Sequence, residues 1–170
     1  MEEIVNRVQK SGIITLDLTS FLPKEEVVEI DLKDNLWNEL VLREKDFRSF
    51  IKEHNWSSYE HKVVAVFCSA DAIIPTWAYM LVASALAEYT PFVYFGDTTQ
   101  AQKGFIEDRI NALHIDDYAD ARIVIKGCAE IPDPEALFLK LTTRLRPVVK
   151  VLMYGEPCST VPVFKKPRKA

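Results

Sequence analysis

Apolar and polar residues partly alternate in two stretches near the start of the chain, 13–18 and 27–33, a pattern that predicts short strands. Asp34-Asn35 reads as a turn before a third run at 36–42, and together these predict a short antiparallel N-terminal strand layer. The period then changes. Phe47, Phe50, Ile51 and His54 recur at three- and four-residue spacing, which predicts an amphipathic helix over 44–54. Beyond Lys62 continuous apolar runs alternate with helical patterns. Residues 63–67, 92–95, 123–125 and 148–154 are the kind of run that a strand buried on both faces requires. A helix over 75–88 has Pro75 in its first turn and apolar residues nearly all round. Another, over 99–113, places Ile106, Ile110 and Leu113 on one face, with Thr98 or Thr99 as its cap. Asp133-Pro134-Glu135 opens a third, whose buried stripe is Leu137, Leu141 and Leu145.

Strands and helices alternating in this way predict an α/β fold, a mostly parallel sheet with helical crossovers, because parallel neighbours need long connections and helices make them. No repeat, low-complexity segment or Gly/Ser linker marks a boundary. The expectation is a single domain over 1–170, with the strand layer at 1–42, an α/β core at 43–158 and a basic tail at 159–170. Lys165, Lys166, Arg168 and Lys169 stand in that tail without an acid and read as a solvated end, the alternative being contact with RNA or an acidic partner.

Composition narrows the function classes. With 170 residues, 48% hydrophobic and 27% charged, the chain can bury a full core, and a net charge of −4 argues against a broadly basic nucleic-acid surface. Three cysteines cannot all pair within one chain, so a reducing cytoplasm fits. Residues 1–10 lack the basic start and apolar run of a secretory signal, and the longest uncharged stretch, 72–87, is short of the roughly 20 residues that span a bilayer. A cytoplasmic protein without membrane association is expected.

Open α/β sheets bind ligands beyond the carboxyl ends of their strands, so the residues just past each predicted strand are the candidates. They are Cys68-Ser69-Ala70-Asp71, Gly96-Asp97, Lys126-Gly127-Cys128 and Gly155-Glu156-Pro157-Cys158. All three cysteines fall there. Cys68, Cys128 and Cys158 are candidate ligands for zinc or an iron–sulfur cluster, with Asp71, Asp97 or Glu156 as a fourth ligand or an outer hydrogen-bond partner. No C-x2-C pair supports this locally, and buried packing of small apolar thiols is the competing reading. A third is thiol chemistry at Cys68 or Cys158, with Cys68 ahead of a helix amino end that favours thiolate. None of His54, His61 and His114 lies in these segments to serve as a base, and His54 on its apolar stripe reads as structural. The strand-end acids could also perform acid–base work or bind Mg2+, although solvated loop acids are commoner. Motifs for ATP, NAD or serine-hydrolase chemistry are absent. Trp77, Tyr79 and Met80 would line a pocket or a homodimer face, or simply the core.

Four strings carry a resemblance: Ser11-Gly12-Ile13-Ile14-Thr15-Leu16-Asp17, Leu42-Arg43-Glu44-Lys45-Asp46-Phe47-Arg48, the segment from Cys68 through Pro75-Thr76-Trp77 to Met80, and Gly155-Glu156-Pro157-Cys158-Ser159-Thr160-Val161-Pro162. With them the chain resembles a bacterial family known as domain of unknown function 2480. That resemblance supplies no catalytic residues and implies an association with proteins of iron–sulfur assembly. The resulting expectation is an accessory or binding protein, metal- or cluster-linked, with its site at the carboxyl edge of the sheet. The alternatives are a thiol-dependent transferase or redox enzyme and a non-catalytic homodimer.

Overall fold

The computed structural model describes residues 12–127, 130–156 and 158–167. Nine strands and four α-helices are found among them, and they sort into two compact units, each with its own sheet and core.

The first unit takes the described residues up to Leu22 and those from Ile106 onward. It contains β1 (Ile13–Asp17), β7 (Arg122–Lys126), α4 (Pro134–Leu145), β8 (Val151–Glu156) and β9 (Ser159–Lys165). Its sheet runs β1-β7-β8-β9, parallel except for the last pair. Ile123 and Ile125, Leu152, and the α4 stripe of Leu137, Leu141 and Leu145 form its core.

The second unit, Pro23–Phe105, contains β2 (Val27–Asp31), β3 (Leu36–Trp37), β4 (Val41–Leu42), α1 (Glu44–Glu53), β5 (Val63–Phe67), α2 (Thr76–Leu86) and β6 (Val93–Phe95). Its parallel sheet runs β2-β5-β6, and β3 pairs with β4 in a separate antiparallel ribbon. Helix α3 (Thr98–Asn111) crosses the boundary between the units: Ala101 and Phe105 join the β5 core, and Ile106 and Ile110 join the core of the first unit.

The α/β class and its parallel strands are as the alternation of apolar runs and helical stripes predicts. Pairing differs from the sequence expectation in three places. The strands past Lys62 divide between two sheets instead of sharing one. β1 and β2 form where alternation puts them, yet each joins a parallel sheet, β1 beside β7 and β2 beside β5, leaving the short antiparallel ribbon to β3 and β4. Alternation specifies the faces of a strand and not its neighbour. β5 is buried on both faces and needs a strand at each edge, a demand that β2 and β6 meet. Finally, residues 159–165, which charge alone reads as tail, form β9, antiparallel to β8 from Glu156↔Ser159 to Val151↔Lys165. β9 is mostly exposed and so lacks a strong apolar period, but its Phe164 packs against the core beneath the Arg146 guanidinium. Of the basic residues beyond it, Arg168 and Lys169 lie outside the described residues.

Among the described residues no helix is long and apolar enough to cross a membrane.

Candidate functional site

In the first unit the parallel strands β1, β7 and β8 end together at Asp17, Lys126 and Glu156. The Lys126 ammonium lies 3.5 Å from carboxylate oxygens of both Glu156 and Asp17. Glu156 first, and then Asp17, hold its pKa above the usual lysine value. The Thr19 hydroxyl, donating to Asp17, is the main reason that carboxyl is held below its ordinary range.

On one face of this sheet a cavity of about 370 Å3 opens between α4 and strands β7, β8 and β9. Ile125, Leu152, Met153 and Tyr154 line it from the strands, with Val163 from β9; Glu135, Phe138 and Thr142 line it from α4. Two periodicities build it. Leu137, Leu141 and Leu145 commit one helix stripe to the core, so residues three and four apart on the adjoining stripe, Glu135, Phe138 and Thr142, border the sheet's open flank. On β8, Leu152 and Tyr154 share a face because side chains alternate, and the Tyr154 ring meets Phe138 edge-on at 5.3 Å. Sequence alone does not single these residues out: the adjoining α4 stripe is readable from its spacing, but the sheet wall needs β9 and the β7–β8 pairing.

The corresponding edge in the second unit is held by Asp31. Its carboxylate accepts from the Ser69 amide at 3.0 Å, the Ser69 hydroxyl at 2.6 Å and the Lys33 amide at 3.0 Å. Burial pushes the Asp31 carboxyl up, but those donors outweigh it and hold the pKa at about 2. A smaller cavity of about 260 Å3 is lined by Val66, Thr76, Tyr79, Met80, Val93 and Phe95. Burial, and secondarily Cys68, raise the Tyr79 phenol above its ordinary value.

The residues singled out by sequence are distributed over both edges. Cys68 is half-buried at the end of β5, its Sγ 3.7 Å from the Ala70 carbonyl, and belongs to the second unit. Cys158 is exposed in the β8–β9 turn of the first unit. Cys128 lies outside the described residues. Asp71 is exposed. Glu156 is paired with Lys126 as above. Asp97 exchanges hydrogen bonds with Gln100, each backbone amide donating to the other's side chain at 2.9–3.0 Å, in a capping box at the start of α3. The cap is therefore Asp97 and not Thr98 or Thr99; the Thr98 hydroxyl instead donates to Glu29 of β2 at 2.7 Å. Among the described residues no group of three His, Cys, Asp or Glu side chains is placed to hold a metal ion. His54 is structural, packed against Phe50, Trp56 and Tyr59 and 3.0 Å from the Tyr59 hydroxyl. Trp77 packs edge-on to Phe47, whereas Met80 is exposed.

No curated protein and no solved structure matches this chain. A family model does: the one described as "Protein of unknown function (DUF2480)" matches residues 2–166, nearly the whole chain. The chain belongs to the DUF2480 family.

Proposed function

We propose that this is a non-catalytic accessory protein that binds an apolar ligand group against the β7–β8 pair. The observation that carries this reading is the cavity of about 370 Å3 between α4 and those strands. Small-ligand pockets run from roughly 300 to 1,000 Å3 and are lined mainly by apolar side chains, as this one is. Glu135, Thr142 and Tyr154 bring the described lining one carboxylate and two hydroxyls, which suits orienting a ligand. Methyl NMR with 2-phenylethanol as a neutral aromatic probe tests it. Saturable shifts of the Leu152, Met153 and Val163 methyls are expected, and Val163→Trp, which fills the cavity from a half-exposed strand position, abolishes them. Unmoved methyls at every probe concentration would overturn the reading.

A metal- or iron–sulfur-linked role, with iron–sulfur assembly proteins as partners, is the second reading. It is favoured by β7 and β8 being parallel neighbours, since Cys128 and Cys158 each follow one of them by two residues in the chain. Metal and sulfide analysis of protein purified without air tests it, against a variant carrying Cys68→Ser, Cys128→Ser and Cys158→Ser. Stoichiometric zinc or iron that disappears in the variant is expected. Protein that stays metal-free after reconstitution removes this reading.

A further inference from the structure

Helix α4 carries a second stripe that stays outside the core of its unit. Glu135, Leu139, Thr142 and Arg146 follow one another at spacings of four, three and four residues, the a/d rhythm of a helix-packing seam. Arg146, the C-terminal cap of α4, keeps helical backbone angles (φ −49°, ψ −38°), so it continues the same face. Leu139 at the middle of this stripe is 69% exposed, although Leu137, Leu141 and Leu145 are fully buried. The seam carries charge only at its ends. Glu135 and Arg146 are both exposed, and among the described residues neither forms an ion pair; Arg146 rests its guanidinium over the Phe164 ring, 4.7 Å from the centroid. The lysine on α4 is committed elsewhere, Lys140 to Glu107 at 2.9 Å.

We infer that the α4 seam is the contact surface for a second copy of this chain, packed antiparallel across a two-fold axis near Leu139 and Thr142. The charge pattern selects that occupant. An acid at one end and an arginine at the other, about 16 Å apart at the helical rise, are complementary to the same stripe turned end for end. In that arrangement each Glu135 faces the partner's Arg146, twice by symmetry, while the two Leu139 side chains leave water together. A parallel arrangement would set like charges against each other. The helix dipole favours an acid in the first turn and a base at the last, and the exposed leucine between them supplies the apolar contact. The inference does not rest on the ligand reading: Glu135 and Thr142 border the cavity, but Leu139 and Arg146, on which the contact turns, do not line it.

Sedimentation equilibrium of the full chain, from micromolar to about 0.5 mM, is the test. The mass is expected to rise toward twice the monomer mass, and Leu139→Asp, at an exposed position that the fold tolerates, to hold it at the monomer. Glu135→Arg alone and Arg146→Glu alone should each weaken the dimer roughly tenfold, two exposed ion pairs having become repulsions. Mixing these two variants should restore association, because in the mixed dimer both ends of the seam again set an acid against an arginine; circular dichroism checks that each variant is folded. A monomer at all concentrations overturns the inference, as does a dimer indifferent to Leu139→Asp and to both charge reversals. If the chain is monomeric but 2-phenylethanol still shifts the cavity methyls, the seam fails and the ligand site stands; a dimer without those shifts means the reverse.

Discussion

Gly155 shows how one position carries an element. Its φ is +118°, and a Cβ there would stand 2.7 Å from the Ser159 carbonyl oxygen. Gly155→Ala therefore meets both a disfavoured backbone angle and an overlap with backbone, and should cost about 2–3 kcal/mol in urea denaturation. His54 sets a pH dependence instead. Burial lowers its pKa below the ordinary value of 6.5, so the folded chain holds the imidazole neutral while the unfolded chain takes a proton near that value. The folded state thus binds fewer protons across this window. Its stability contribution is full above pH 6.5 and falls as pH drops below it toward the lowered folded value. His54→Phe should flatten that slope, read as the urea midpoint at pH 5 against pH 7.5. The structural role of His54 was legible because it lies on the Phe47–Phe50–Ile51 stripe. The cap of α3 was legible in principle, since Asp97 and Gln100 stand at capping-box spacing, but neighbouring threonines offer the same local chemistry. Only Glu29, brought from β2 to Thr98, distinguishes them.

Among the elements, β2 is tied to the loop after β5 by a single carboxylate. Asp31 is 17% exposed, with a pKa of about 2 against an ordinary 3.8. Its contribution is complete above about pH 4 and is lost as pH falls from there toward 2, because the unfolded carboxyl takes its proton first. Asp31→Asn should lower stability by about 2 kcal/mol at neutral pH and flatten the acid limb between pH 4 and 2. The element boundaries follow periodicity closely: β5 forms over Val63–Phe67, and α1 ends at Glu53 with His54 as its cap. β9 was hidden because an exposed edge strand has little apolar period. Its Pro162 and Lys165 are also the residues by which edge strands resist pairing, so the same composition reads as a tail.

For the molecule as a whole, two separate cores predict independent energetics. Leu141 belongs to the core of the first unit and Val82 to that of the second, and both are fully buried. Leu141→Ala should cost about 3 kcal/mol and Val82→Ala about 2 kcal/mol, and the double variant their sum to within about 0.5 kcal/mol, because the two belong to different packing clusters. Native-state amide exchange should show Leu141→Ala speeding β7 and β8 more than β5. Apart from β9, which residues form strands and helices was written in the chain itself, because the two-residue and 3.6-residue periods, prolines at helix starts and buried apolar runs act over a few residues. How those strands divide between two sheets was not, since every candidate partner for β5 or β7 is an apolar run of similar length, and the choice rests on burial between residues far apart in the chain. The same limit applied to the sites. The strand-end cysteines stand out by residue type alone, whereas the α4 cavity and the outer seam became visible only once folding had assigned Leu137, Leu141 and Leu145 to the core and left the neighbouring stripe facing outward.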